Sequence, residues 1–333
     1  MKKLLFFVFL ICCLFLSGCG KYGEEDVIED FSKKVDDAKA YYVEGTLEVV
    51  NNDDVYNYNV EVSFKEDNYY KVSLTNTANN HTQVILKNDD GVYVVTPSLN
   101  KSFKFQSDWP YSNSQIYLLA SIVDDIKDDD NRTFKETDDS YVFTTTVNYP
   151  NNRELVKQKI LLSKKLKLKR VQVYNSDSVI CMTMNFKDID YSPTFKKNYF
   201  SLSNVMEAYS VDEDQVEETS SLDESIYPLL VPTGTKLTNE EKITMDNGER
   251  IIMTFDGEKP FLLVEETADI LDEFTVIPTY GEPYQLMDTL GVMTDNSLSW
   301  TTNGIEYYLV SDVMNQEELV EVAQSIGVVQ TMK

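Results

Sequence analysis

Apolar and polar positions alternate with two different periods along this chain, and each change of period marks an element. In residues 24–40, EEDVIEDFSKKVDDAKA, the apolar residues Val27, Ile28, Phe31, Val35 and Ala38 recur at helical spacing. Acids occupy the first turn and Lys33, Lys34 and Lys39 follow, the order a helix dipole favours. The pattern predicts a short amphipathic helix. From Tyr41 the period becomes two, in YYVEGTLEVV, VYNYNVEVSF and NYYKVSL, with breaks at Asn51–Asp54 and Glu66–Asn68. These segments predict antiparallel strands. HTQVILKNDDGVYVVTP repeats the pattern around a turn in which Gly91 supplies a positive φ.

A second helix is predicted over residues 114–127, capped by Ser112 or Asn113, with Leu119, Ile122, Val123 and Ile126 on one stripe. Strands resume in SYVFTTTVNY, ELVKQKILLS, LKLKRVQVY and VICMTMNFKDIDY. Two helices and roughly ten strands predict a curved antiparallel sheet with one face under helices. Residues 207–223 are acidic and nearly devoid of apolar side chains, which predicts a solvated linker. Beyond it come hairpins at Asp256-Gly257 and Asn303-Gly304 and a closing helix. Asn315 and Glu318 form its capping box, Leu319, Val322, Ala323 and Ile326 its buried face, and Gly327 its end. The resulting fold class is α+β and β-rich: an N-terminal curved antiparallel half-barrel closed by helices, over residues 24–203, an acidic linker, 204–225, and a smaller α+β domain, 226–333.

The N-terminus has a different character. Lys2 and Lys3 precede an apolar run, Leu4–Leu16, that has the layout of a secretion signal and is too short for a membrane span, which needs about 20 residues. Leu16-Ser17-Gly18-Cys19 resembles the bacterial lipobox, in which the cysteine thiol is acylated and the preceding residues are removed. The expectation is a signal peptide over residues 1–18 and a lipidated N-terminus over residues 19–23. Acyl chains on Cys19 would hold the rest of the chain at the extracytoplasmic face of the cell membrane.

Removing 18 of the 333 residues leaves 315, enough for two domains with cores of their own. It also shifts the formal charge from −26 to −28, since Lys2 and Lys3 leave. Such a charge excludes nucleic acid as a partner and repels anionic lipid headgroups; it favours basic protein partners. Cys181 becomes the lone cysteine of the mature body apart from Cys19, so no intrachain disulfide forms there, and its apolar surroundings predict a buried small hydrophobe.

Catalytic chemistry has little to stand on. His81 is the sole histidine, which leaves neither a hydrolase triad nor a zinc site within reach. Ser98-Leu99-Asn100-Lys101 has the Ser-x-x-Lys spacing of penicillin-binding enzymes, without its companion motifs. The acid run at 124–132 lacks the glycine and terminal glutamate of a calcium loop. With 56 acidic residues, pairs of carboxylates carry no information. No metal, no cofactor and no enzymatic activity are expected.

The order of elements, with YYVEGTLEVV, VILKNDDGVYVVTPSLNKSFKF and DWPYSNSQIYLLASIVDDI, resembles the LolA/RseB-like lipoprotein superfamily. It is similar especially to the LolA-like sporulation and germination lipoproteins, GerS-related, of single-membrane spore-forming bacteria. YPLLVPTGT and NSLSWTTNGIEYYLVS resemble the smaller second domain of the longer members. The resemblance implies an apolar cleft that takes an acyl chain, or a surface that holds a partner enzyme or regulator. Candidate cleft residues are Tyr42, Leu47, Val60, Val62, Phe64, Leu86, Val92, Val94, Leu119 and Ile122.

Two functions stay open at this point. One is a membrane-anchored, non-catalytic lipoprotein binding a hydrophobic ligand or a partner in envelope, sporulation or germination processes. The other is a scaffolding or regulatory lipoprotein with a fully packed core that docks a cell-wall enzyme, such as a spore-cortex amidase, or an anti-sigma-type regulator. Both require the tether. In cells fed labelled palmitate, the chain is expected to carry label and to begin at Cys19 by mass spectrometry, and Cys19→Ala to abolish both.

Overall fold

The computed structural model describes residues 22–51, 54–107, 109–110, 114–149, 152–209, 222, 224–286 and 289–326. The segment around Cys19 lies outside the described residues, as do Ser112, Asn113 and Gly327. Helix α1 (Glu24–Asp36) opens the fold and leads into β1 (Ala40–Asn51), β2 (Asp54–Lys65), β3 (Tyr69–Asn76), β4 (Thr82–Asn88), β5 (Gly91–Thr96) and β6 (Lys101–Phe105). After α2 (Leu119–Asp128) come β7 (Thr133–Glu136), β8 (Ser140–Thr146), β9 (Leu155–Ser163), β10 (Leu168–Asn175), β11 (Ile180–Asp190) and α3 (Leu202–Tyr209). The remainder comprises β12 (Thr235–Met245), β13 (Gly248–Gly257), β14 (Phe261–Thr267), β15 (Thr275–Thr279), β16 (Glu282–Gln285), β17 (Leu290–Met293), β18 (Ser297–Thr302), β19 (Ile305–Val310) and α4 (Gln316–Gln324).

Two sheets organise these strands, and neither closes. The first has twelve strands in the order β15-β6-β5-β4-β3-β2-β1-β11-β10-β9-β8-β7, the second seven in the order β12-β13-β14-β19-β18-β17-β16. The open, β-rich α+β class is the one expected. Every neighbouring pair is antiparallel except β15 with β6.

Alternation explains which face is covered. Tyr41, Val43 and Leu47 on β1 and Tyr58, Val60 and Val62 on β2 point into one large core with Val27, Ile28, Phe31 and Val35 of α1 and Leu119, Ile122, Val123 and Ile126 of α2. Each large side chain so buried contributes about 1.5–3 kcal/mol of transfer free energy. Stacked and tilted rings fill the face further along: Tyr41 to Phe64 at 4.8 Å, Phe64 to Tyr70 at 5.0 Å, Tyr70 to Trp109 at 5.8 Å. Arg132 fastens α1 by donating to Glu24 at 3.0 Å and to Glu25 at 2.8 Å, while Lys127 of α2 pairs with Asp36 at 2.9 Å.

The structure departs from the sequence expectations in three places. Helix α2 starts at Leu119 rather than at 114, because Ser114 and Ser121 are engaged elsewhere: Ser114 donates to Asp125 and accepts from the Asn148 N–H, and Ser121 accepts from the Gln115 N–H. Residues 202–209, partly assigned to the linker, form α3, whose Val205 is buried with Phe200 against Val84, Leu86, Tyr93 and Val95 on the opposite face of the first sheet. Leu222, also assigned to the linker, is buried in the core of the second sheet. Strand β15 extends the first sheet, and Leu290 and Val292 join its core.

The expected capping box is present. The Glu318 N–H donates to Asn315 Oδ1 at 3.0 Å and the Asn315 N–H to Glu318 Oε2 at 3.1 Å. Asn303 and Gly304 turn the β18–β19 hairpin with φ of 48° and 74°. Gly45 sits where the β1–β11 register shifts, and a Cβ there would lie 2.4 Å from the Asn185 carbonyl oxygen. Gly45→Ala is therefore expected to destabilise the chain by roughly 1–3 kcal/mol, read as a lowered urea midpoint with an unchanged slope.

Candidate partner-binding cleft

The ten candidate cleft residues divide by strand alternation. Leu47, Val60, Val62, Val92, Val94, Leu119 and Ile122 are buried in the main core, and Phe64 packs partly buried against it. Tyr42 and Leu86 lie on the opposite face. Leu86 is under α3, and Tyr42, half-buried, hydrogen-bonds Glu44 at 3.1 Å. One-residue offsets decide this: Tyr41 and Ile85, next in sequence, are the inward-facing neighbours.

Helices and rings fill most of the concave face, but space remains at its end. A cavity of about 100 Å³ lies between the two sheets, with Leu47, Ile85, Trp109, Tyr149 and Met182 on one side and Tyr284, Leu286 and Leu290 on the other. Of the ten candidates, Leu47 alone lines it. Sequence periodicity missed the rest because the second wall comes from residues 283–290, far along the chain.

Polar groups hold the two walls together. Gln83 of β4 accepts from the Leu290 N–H at 2.6 Å and from Thr289 Oγ1 at 3.0 Å. Its amide donates to Thr96 Oγ1 at 3.2 Å and to the Leu290 carbonyl at 3.4 Å. Asn51 donates to the Gln324 carbonyl at 3.1 Å. Lys101, which is buried, pairs with Glu306, and Ser107 donates to Glu282. Around β15, Asn100 donates to the Leu271 carbonyl at 2.7 Å and accepts through its own carbonyl from the Thr275 N–H at 2.8 Å. Asn100 and Lys101 thus serve as structural links, which accounts for two residues of the Ser-x-x-Lys sequence.

Burial governs the ionisable groups around the cleft. Burial pushes the phenols of Tyr117, Tyr149 and Tyr284 above their ordinary range. Asp125 of α2 sits beneath, and burial pushes its carboxyl up to about 6 even though Ser114 donates to it at 2.9 Å and Gln158 at 2.6 Å. Cys181 also lines the cavity, half-buried, with its thiol pushed up by burial, so it carries little thiolate at neutral pH. His81 stands on the loop before β4. Among the described residues no group of three or more His, Cys, Asp or Glu is placed to hold a metal ion. No helix of the described residues is long and apolar enough to cross a membrane.

An open, β-rich α+β fold with an apolar cleft between two sheets defines a binding architecture. No family model matches this chain. The sporulation protein YdcC of Bacillus subtilis (strain 168) is 36% identical over 318 residues, which is 95% of this chain and 94% of that protein. The chain belongs to the family of that protein. Among solved structures, MucB overlaps 91% of this chain and 97% of its own at 12% identity, with a TM-score of 0.34. The structure of the CwlD amidase in complex with the GerS lipoprotein, from Clostridioides difficile, overlaps 52% of this chain and 98% of its own chain at 19% identity, with a TM-score of 0.32. The name of the Bacillus subtilis relative agrees with the sporulation-related group that the sequence resembles.

The Gln83 junction is the test of how the cleft is held. Gln83→Ala leaves the buried Leu290 N–H without its acceptor and is expected to cost about 1–3 kcal/mol. Faster amide exchange should appear at residues 289–293 and leave β1–β3 unchanged.

Proposed function

We propose that this chain is a membrane-anchored, extracytoplasmic, non-catalytic lipoprotein that acts in sporulation by holding a partner protein at the cleft between its two sheets. The cavity volume carries the reading. About 100 Å³ is well below the ~300–1,000 Å³ of pockets that enclose a whole small-molecule ligand. It suits one or two apolar side chains of a docked segment, and Val60, Val62 and Val94, expected to line an acyl-chain cleft, are already packed against helices. The scaffolding alternative is therefore favoured over carriage of a lipid.

The role in sporulation follows from the name of the Bacillus subtilis relative. The anchor follows from the lipobox at Cys19, and the absence of catalysis from a sequence with one histidine and no nucleophile motif with its companions. The partner is a cell-wall enzyme or an envelope regulator, and a basic segment suits a chain with a formal charge of −26. The division into a first domain over 24–203, an acidic linker over 204–225 and a second domain over 226–333 belongs to the same reading.

Photo-cross-linkers at Tyr284 and Leu286, installed in sporulating cells, are expected to give one specific protein adduct. Leu47→Trp, which fills the cavity, should remove it. A stoichiometric lipid on the purified chain in native mass spectrometry, with no adduct from either position, would replace this reading by the lipid-carrying one.

A further inference from the structure

The charge of −26 is unevenly laid out. Residues 155–175, the β9–β10 hairpin, contain seven Lys or Arg and no Asp or Glu, in a chain with 56 acids and 30 bases. Gln158, Ile160 and Leu162 of β9 and Val171 and Val173 of β10 are buried, so Lys157, Lys159, Arg170 and Tyr174 stand on the outer face of the sheet. Lys159, Lys165, Lys169 and Arg170 are exposed and have no ion-pair partner among the described residues. Two further lysines at the turn are neutralised: Lys164 by Glu136 at 2.7 Å and Lys167 by Asp188 at 3.0 Å. Acids also stand at this end: Asp138 and Asp139 on the neighbouring β7–β8 turn, and, beside Tyr22, Glu24, Glu25, Asp26 and Asp30 of α1, of which Glu24 and Glu25 pair with Arg132 and Asp30 accepts from the Tyr22 hydroxyl.

The position of this hairpin matters as much as its charge. Tyr22, the first described residue, packs on Tyr141 with ring centroids 6.3 Å apart, and Lys164 lies over the same Tyr141 ring at 4.2 Å. Only Gly20 and Lys21 lie between Cys19 and Tyr22, so three residue steps set a reach of at most about 11 Å. An acyl anchor on Cys19 would therefore bring the membrane surface to the 163–167 turn, the most lysine-rich point of the chain. At physiological salt charges interact over about 8 Å, so the surface senses the residues that face it and not the total.

We propose that the β9–β10 hairpin is a second membrane contact, taking anionic phospholipid headgroups through Lys165, Lys169, Arg170 and Lys159 at the surface to which Cys19 is tethered. The proposal rests on the anchored reading given above. The contact fixes orientation: one acyl-bearing residue alone leaves the body free to tumble, while a basic face beside it holds the cleft at a set angle to the membrane. The overall repulsion of anionic lipid inferred from net charge does not apply to this face.

The test uses residues 20–333, which keep every described residue and lack the acylated cysteine, in sedimentation with phosphatidylcholine vesicles with or without 30% phosphatidylglycerol. Binding is expected with phosphatidylglycerol at low salt and absent without it. Each lysine removed should weaken partitioning roughly fivefold, so Lys165→Glu with Lys169→Glu should lose twentyfold or more. Lys196→Glu with Lys197→Glu, the same charge change at two exposed residues elsewhere, should lose far less; unaltered melting temperatures certify that both fold. Equal loss in the two variants, indifference to phosphatidylglycerol, or binding to an acidic wall polymer with none to vesicles would each overturn the proposal. Mass analysis of the full-length product separates the two readings: an unacylated chain whose hairpin still selects phosphatidylglycerol ends the anchor alone, and an acylated chain without that selectivity ends the contact alone.

Discussion

A sheet of twelve strands that never closes must keep water from an apolar concave face and from the bare backbone at its ends, and the rest of the fold answers those two demands. Helices α1 and α2 lie across the concave face, with Phe31 and Ile122 at or near zero exposure. Without that cover, the row from Val43 to Leu74 would be an exposed apolar surface of the kind that drives aggregation. Rings from Tyr41 to Trp109 fill what the helices do not reach, and this is why so little volume remains inside.

The second demand couples the two sheets. Strand β6 would be a free edge, with unpaired N–H and C=O groups inviting another chain. Strand β15 covers it in parallel, Thr275 opposite Lys101 through Thr279 opposite Phe105, and Pro278 removes a donor from the new edge. The loops that deliver β15 bring β16 and β17 over the mouth of the half-barrel, and Gln83 grips them there. The cleft is thus a by-product of edge protection: its two walls come from sheets brought together for another reason.

Much of this was legible in the sequence. Period-two alternation placed the strands, and Asn315 with Glu318 fixed the start of the last helix, because both signals act within a few residues. Leu86 and Tyr42 were placed on the wrong side since either register of an apolar run such as Val84-Ile85-Leu86 fits a sheet buried on both faces; α3 and Phe200, which bury the second face, sit over a hundred residues away. The parallel β15 contact left no local trace, because Thr275–Thr279 reads as an ordinary short strand and its partner is chosen by tertiary packing. Leu290 and Tyr284 were missed at the cleft for the same reason. The basic hairpin was visible as composition, yet net charge hid it.

The pairing of β15 with β6 spans 174 positions of the chain, from Lys101 to Thr275. For a polypeptide made from its N-terminus, this separation sets a timetable. Eleven strands can assemble as they emerge, while β6, paired with β5 on one side, keeps its other edge open until the stretch past Thr279 has followed. The interval is when a nascent chain is exposed to mispairing and to proteases. Completion of the first sheet therefore reports that nearly the whole polypeptide has arrived, and a product truncated before Thr275 keeps a raw β6 edge.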